Sequence, residues 1–388
     1  MTQRRAGLGI VATALAALAV ATAAAAVAVA ARQPESPFDR WDQNGDGKLA
    51  REEVPEGPRG LFDRVDTDGD GFLSRAEDRA FRARMAAVQK KADREAGGGI
   101  PPGVQVLRDL PYAGTDNPRQ KLDLYLPRDR KGTDPLPLVA FIHGGAWLGG
   151  DRRGGAGQVG YLVASGHYVG ASVGYRLSPE APWPAQAHDV KAAIRWLRAH
   201  AGDYGYDPDR IAVMGSSAGG HLVAFLGTSG GVKDLEGDLG EEDTTSSRVQ
   251  AVVDLFGPAD FLTIADAPSQ IDHAAPDAPE AKLLGGAIRD KPDAARAVSP
   301  ITHVTKDDPP FLLIHGDADP TVPFDQSVRL DKALKAAGVP SALLRIEKGG
   351  HGGFGNTAYR DRIRQFLDAT LRGQGEMPKD ETLPNDAG

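Results

Sequence analysis

The chain of 388 residues predicts an α/β fold, a mostly parallel central sheet with helices on both faces, preceded by a small α-helical unit. Two observations carry this. Over residues 104–372, short apolar runs alternate with amphipathic helical stretches, the pattern of strand–helix–strand units that build a parallel sheet. Ahead of them, within residues 36–82, one acidic, Gly-containing pattern occurs twice in tandem. A hydrophobic content of 41% against 25% charged residues is enough apolar side chain for one large core.

The composition removes several classes of function. A formal net charge of −8 argues against a nucleic-acid partner, because binding a phosphate backbone needs a positive face. It has no cysteine, which excludes a thiol nucleophile, cysteine-bound zinc and disulfides.

Residues 1–31 begin with Arg4-Arg5 and then run uncharged from Ala6 to Ala31, rich in alanine and valine. A basic start followed by an apolar stretch reads as an export signal. The stretch is longer than the usual signal core, and about 20 apolar residues can span a bilayer, so a retained membrane anchor is the alternative. Both readings put the remainder outside the cytoplasm: periplasmic, secreted or on the cell surface.

The tandem pattern comes next. Phe38-Asp39-Arg40-Trp41 precedes Asp42-Gln43-Asn44-Gly45-Asp46-Gly47-Lys48, which ends at Glu53. Phe62-Asp63-Arg64-Val65 precedes Asp66-Thr67-Asp68-Gly69-Asp70-Gly71-Phe72, which ends at Glu77. Calcium is a hard cation that takes six to eight oxygens. Asp42, Asn44, Asp46 and Glu53 supply side-chain oxygens in one loop, and Asp66, Asp68, Asp70 and Glu77 in the other. Lys48 and Phe72 supply backbone carbonyls, and Gly47 and Gly71 permit the sharp turn. Leu49 and Leu73 fall where paired loops add a short apolar β contact. Each copy resembles the EF-hand family, and the resemblance implies structural calcium. A dockerin-like binding module is the rival. Pro55 and Pro58 follow the first loop and predict that its exiting helix is short or broken.

Residues 83–103 contain Gly97-Gly98-Gly99 and Pro101-Pro102 and read as a linker. In the main domain, strands are expected at Leu122–Leu126, Leu138–Ile142, Tyr168–Val173, Ile211–Met214, Val249–Leu255, Phe311–Ile314 and Ala342–Ile346. Helices are expected at Ala185–His200, His221–Gly227, Asp325–Ala337 and Thr357–Leu371. The polar tail, residues 373–388, is expected to be disordered.

In a parallel sheet, ligands gather at the carboxyl ends of the strands, and the chemistry-bearing residues follow these apolar runs. Ile211–Met214 leads into Gly215-Ser216-Ser217-Ala218-Gly219, a G-x-S-x-G turn that presents Ser217 at a helix N-terminus, where developing negative charge is favoured. Leu138–Ile142 leads into His143-Gly144-Gly145-Ala146-Trp147. The amides of Gly144 and Gly145, with that of Ala218, are candidate oxyanion donors. His143 reads as a loop-ordering residue. Trp147 either lines a pocket or packs. After Phe311–Ile314 stand Asp317 and Asp319, two candidates for a triad acid. After the last apolar run, Gly349-Gly350-His351 offers His351 as a base.

These segments together resemble the esterase/lipase branch of the α/β-hydrolases over residues about 104 to 372. They are most similar to bacterial feruloyl and acetyl-xylan type esterases through Tyr175-Arg176-Leu177-Ser178-Pro179-Glu180, Trp183-Pro184-Ala185, Asp207-Pro208-Asp209-Arg210 and Ser299-Pro300. The family pattern H-G-x-x-D-x-x-V-P selects Asp319 over Asp317. The order Ser217, Asp319, His351 is the α/β-hydrolase order. The resemblance implies hydrolysis of small-molecule or saccharide carboxylic esters, with no metal in the chemistry. Ala146 stands where the hormone-sensitive-lipase type has a third glycine. Residues 258–300 look like an insertion that covers the site. A peptidase or formamidase using the same triad, and a calcium-dependent binding protein on a silent hydrolase fold, are the alternatives.

Overall fold

A computed structural model describes Phe38 and residues 41–54, 62–81, 99–242 and 244–386. The export or anchor segment, Pro55, Pro58 and most of the linker lie outside the described residues. The chain divides into two compact units, Met1–Lys91 and Ala92–Gly388, and the break falls inside the predicted linker. Among the described residues, no helix is long and apolar enough to cross a membrane.

In the first unit, β1 (Lys48–Ala50) pairs antiparallel with β2 (Phe72–Ser74), and Leu49 faces Leu73 across the ladder. The helix α1 (Phe62–Val65) leads into the second acidic loop. Phe38, Leu49, Val54, Phe62, Val65 and Leu73 form a small buried cluster. The apolar residues that punctuate the two acidic repeats therefore make their own core.

The second unit is built on a sheet of nine strands: β3 (Val104–Pro111), β4 (Lys121–Pro127), β5 (Leu136–Ile142), β6 (Val169–Val173), β7 (Tyr206–Ser216), β8 (Ala251–Leu255), β9 (Phe311–Gly316), β10 (Ser341–Glu347) and β11 (Glu381–Pro384). Their spatial order is β11-β10-β9-β8-β7-β5-β6-β4-β3. The β3–β4 and β4–β6 pairs are antiparallel, and the other pairs are parallel.

Strand periodicity sorts the apolar side chains into two cores. Leu138, Ala140 and Ile142 of β5 join one, with residues of α3 (Ala185–Ala199), α4 (Ala218–Thr228) and α7 (Asp325–Ala337). Val139 and Phe141 join the other, with residues of α2 (Ala156–Ala164) and α8 (Ala358–Arg372). Side chains alternate between sheet faces along a strand, so these buried runs supply both layers at once. α5 (Pro279–Leu284) and α6 (Pro292–Val298) lie in the long connection between β8 and β9.

The tail corrects one expectation. The described part of the tail expected to be disordered, residues 373–386, is ordered, because Glu381–Pro384 adds β11 in parallel to β10. Leu383 is buried in the second core. Asp380 accepts bonds from the Leu343 amide and from Lys335. One well-placed leucine and a strand edge with unpaired backbone groups suffice to order a segment whose composition is polar.

Candidate functional site

The turn after β7 is strained. Ser217 has φ 55° and ψ −121°, a conformation that costs on the order of 1–3 kcal/mol in a non-Gly residue and persists only where its surroundings impose it. They do so here. The Ser217 amide donates to the Leu255 carbonyl at 2.9 Å, and the Ser217 carbonyl accepts from His221 N at 3.0 Å. A Cβ at Gly219 would lie 2.1 Å from the Ile142 carbonyl oxygen, so only glycine lets α4 start this close to β5.

The loop after β5 meets the same turn. A Cβ on Gly144 would lie 2.6 Å from the Ser216 carbonyl oxygen and 3.2 Å from the Ser217 Cβ. Gly144 is therefore backbone pressed against the serine, while Gly145 (φ 118°) begins the turn away. His143 is buried and stacks on Tyr175, with ring centroids 4.3 Å apart. Its Nδ1 donates to the Gly144 carbonyl at 2.8 Å, and the Tyr175 hydroxyl donates to the His143 carbonyl at 2.9 Å. Burial pushes His143 down to about 4, outweighing the Gly144 bond, so it is neutral and shapes the loop. Trp147 packs. It is 2% exposed, its Nε1 donates to His221 Nδ1 at 3.3 Å, and His221 Nε2 donates to the Val298 carbonyl at 2.8 Å.

His351, on the loop after β10, closes on the serine. The Ser217 hydroxyl and His351 Nε2 are 2.9 Å apart, and His351 Nδ1 donates to Asp319 Oδ2 at 2.7 Å. Asp319 Oδ2 also takes His315 Nε2 at 3.2 Å. Asp319 Oδ1 takes the amides of Thr321 at 2.7 Å and Val322 at 3.0 Å. Burial would raise this carboxyl. The bonds from His315, His351 and the Thr321 amide outweigh it and hold Asp319 well below the usual carboxylate range. Asp317 faces elsewhere, accepting from Arg345 Nε and from the Lys348 amide, each at 2.6 Å. The serine therefore has a proton acceptor that is itself oriented by a permanent anion, the arrangement that activates a hydroxyl for attack on a carbonyl.

Phe256 was not foreseen. It sits just after β8 with φ 47°, and its ring meets the His351 ring edge-on at 4.7 Å. Its place at a strand's carboxyl end is the signal that marks it.

The acidic loops of the first unit are also preorganised. Asp42 Oδ2 accepts the Gly47 amide and Asp66 Oδ2 the Gly71 amide, both at 3.0 Å. Asn44 Oδ1 accepts the Asp46 amide at 2.8 Å, and Asp46 Oδ1 accepts the Lys48 amide at 2.9 Å. Asp70 Oδ1 accepts the Phe72 amide at 2.9 Å. Glu53 and Glu77 fold back onto their loops, accepting from Ala50 and Ser74 amides at 2.9 Å. The Ser74 amide, with help from Thr67 and against burial, holds Glu77 down to about 2. Asp66, Asp68 and Asp70 bring one carboxylate oxygen each within 4.8 Å of one another. Asp42 Oδ1 is buried with no hydrogen-bond partner. An all-oxygen donor set with an unsatisfied buried carboxylate oxygen fits a hard divalent cation.

Fold and site together define an α/β-hydrolase with its serine on a nucleophile elbow. The comparisons narrow this class. A family model described as BD-FAE matches residues 122–334, more than half of the chain, and one described as TAP-like protein matches residues 291–383. The chain belongs to the BD-FAE family. It is 34% identical to Esterase LipC of Mycobacterium tuberculosis over 68% of this chain and 66% of that one. It is 30% identical to the probable isoprenylcysteine alpha-carbonyl methylesterase ICMEL1 of Arabidopsis thaliana, over 62% and 50%. The chain spans between half and two thirds of the length of these relatives. Among solved structures, a truncated carbohydrate esterase from gut microbiota aligns with a TM-score of 0.65 at 37% identity, over 69% of this chain and 96% of that one. Esterase Est2 of Thermogutta terrifontis aligns at 0.56 and 31%, over 71% and 96%.

Proposed function

We propose that the protein is an exported serine carboxylesterase that cleaves carboxylic esters through an acyl-enzyme on Ser217. The observation that carries this reading is the unbroken hydrogen-bond chain from Ser217 through His351 to Asp319, set on a strained turn against Gly144. His351 Nε2 takes the hydroxyl proton as Ser217 Oγ bonds to the ester carbonyl carbon. The amides of Gly144, Gly145 and Ala218 receive the negative charge that forms on the carbonyl oxygen. The imidazolium then returns its proton to the leaving alcohol, and Asp319 stabilises the charged ring throughout. Water repeats the sequence to release the acid. The solved carbohydrate esterase relative supports acetyl or feruloyl esters of saccharides as the substrate class.

In the first unit, calcium is the proposed ligand of Asp42, Asn44, Asp46, Lys48 and Glu53, and of Asp66, Asp68, Asp70, Phe72 and Glu77. When bound, it supplies a structural cross-link between loop positions and no step of the hydrolysis. Export rests on the basic and apolar character of residues 1–31.

The test is a substrate panel: p-nitrophenyl acetate, acetylated and feruloylated xylo-oligosaccharides, peptide p-nitroanilides and N-formylkynurenine, each with Ser217→Ala as control. Serine-dependent turnover of the esters, and of a saccharide ester above all, is expected. Serine-dependent turnover confined to the anilides or to N-formylkynurenine would replace the esterase reading with a peptidase or formamidase.

A further inference from the structure

The loop that carries Asp319 is gripped from behind by the connection between β8 and β9. Asp319 Oδ1 is oriented by two backbone amides, those of Thr321 and Val322. Each amide belongs to a peptide plane whose other end is a carbonyl, and both carbonyls are held by residues of that connection. The Pro320 carbonyl, at the far end of the Thr321 amide, accepts the Gln270 amide at 2.7 Å and the Ser269 hydroxyl at 3.1 Å. The Thr321 carbonyl, at the far end of the Val322 amide, accepts His273 Nε2 at 3.0 Å and lies 3.0 Å from the Ser269 hydroxyl, whose single hydrogen it shares with the Pro320 carbonyl. His273 is braced in turn, since its Nδ1 lies 3.0 Å from Glu280 Oε1 on α5. His273 and Glu280 are each 2% exposed.

A carbonyl can only accept, so Nε2 of His273 carries its hydrogen, and Glu280 fixes the ring plane that aims it. A bond at the carbonyl end of a peptide also polarises its N–H end, so the grip strengthens the bonds that Asp319 receives. Stability alone explains this pair poorly. Glu280 Oε2 is buried with no hydrogen-bond partner, an arrangement that costs folding free energy.

We propose that residues 269–280 form a clamp on the acid loop, in which His273, braced by Glu280, is a positioning residue for Asp319. The connection between β8 and β9 then also sets the rate of the chemistry, through a path Glu280–His273–Thr321–Asp319–His351–Ser217 in which each link is a hydrogen bond. This rests on the reading of Asp319 as the triad acid.

Steady-state kinetics on p-nitrophenyl acetate test it, with a fluorophosphonate titration to count folded, reactive sites and a melting curve for each variant. His273→Leu keeps bulk and removes the donor. It should lower kcat about 10- to 100-fold, the scale of a displacement near 1 Å in a catalytic group, with KM within about twofold. His273→Gln, which restores an N–H toward the Thr321 carbonyl, should recover most of that loss. If His273→Leu does not fold, Ser269→Ala removes only the hydroxyl that touches both carbonyls, and a kcat loss of about 3- to 10-fold at constant KM is expected. An unchanged kcat in the folded variant, or an equal loss in His273→Leu and His273→Gln, overturns the clamp. Asp319→Asn is the control for the underlying reading. If it retains activity, the acid is misassigned. If it is inactive while the His273 and Ser269 variants are not impaired, the acid stands and the clamp alone fails.

Discussion

Asp319→Asn exchanges one carboxylate oxygen for an NH2 group at a place where every neighbour is a donor. Oδ1 faces the amides of Thr321 and Val322, and Oδ2 faces His351 Nδ1 and His315 Nε2. Either orientation of the new amide sets a donor against two donors. Turned toward the histidines, the NH2 is accommodated if His351 moves its hydrogen from Nδ1 to Nε2. That tautomer has no lone pair left to accept the Ser217 proton. Turned toward the loop, the NH2 collides with the Thr321 and Val322 amides, and the anion that stabilises the imidazolium is lost as well. A wrong tautomer in such a triad lowers kcat about 10⁴-fold, roughly 5.5 kcal/mol of barrier. Asp317→Asn differs in kind. Its partner Arg345 has an exposed side chain, and exposed ion pairs contribute about 0–1 kcal/mol, so kcat should fall less than about threefold. The assay is kcat on p-nitrophenyl acetate for both variants at pH 8, with active-site titration. A loss under about tenfold in Asp319→Asn, or the larger loss in Asp317→Asn, would refute the assignment.

Other perturbations probe the remaining parts. Ser217→Ala should abolish turnover and keep the fold, whereas Ser217→Gly should abolish it and raise the melting temperature by relieving about 1 kcal/mol of backbone strain; a lower melting temperature in the glycine variant would contradict the strain argument. Asp254, fully buried on β8 beneath the elbow, is pushed up to about 7 by burial against the opposing Gly257 amide bond. The folded state thus binds a proton that the unfolded chain releases near 3.8. That contribution is complete below about pH 3.8 and is lost as the pH rises through about 7, an upper bound on the order of 4 kcal/mol. Urea denaturation should show the stability of Asp254→Asn, relative to the parent protein, increasing from pH 5 to pH 8, and a constant difference would be the contrary result. Calcium should raise the melting transition of the first unit and EDTA should lower it, with kcat on p-nitrophenyl acetate unaffected; an immediate loss of turnover on chelation, without unfolding, would assign calcium a catalytic role.

Sequence patterns reached the parts of the molecule whose signal is local. Buried parallel strands are continuous apolar runs, so β5 and β9 were readable, and α7 was placed at its observed bounds. The residues at the ends of those strands followed because the fold puts chemistry there. β3 was missed because it is a half-exposed edge strand, broken between Leu107 and Leu110 by an irregularity that leaves Asp109 at φ 61°. β11 was missed because one buried leucine makes no pattern. Trp147 stayed undecided because its partner His221 is 74 residues away. His273 carried no signal for the same reason: its carbonyl partner on Thr321 lies 48 residues on, and only folding brings them together.

The two outermost strands bear on how the protein behaves at high concentration. A nine-stranded sheet presents two rows of unpaired backbone groups, and open edges of this kind recruit strands from other molecules. Here one edge is β3, kinked at Asp109 and ending at Pro111. The other is β11, four residues long, ending at Pro384, with Glu381 tied to Arg362. Proline offers no N–H to an incoming strand, and a short or bent edge gives it little to pair with. Removing residues 380–386 would bare β10, a longer strand with alternating apolar residues, in their place. Colloidal stability thus depends on a polar segment that also bonds the loop after His351, through Asn385 to the amides of Gly355 and Asn356, and tags or truncations there should be judged by light scattering as well as by turnover.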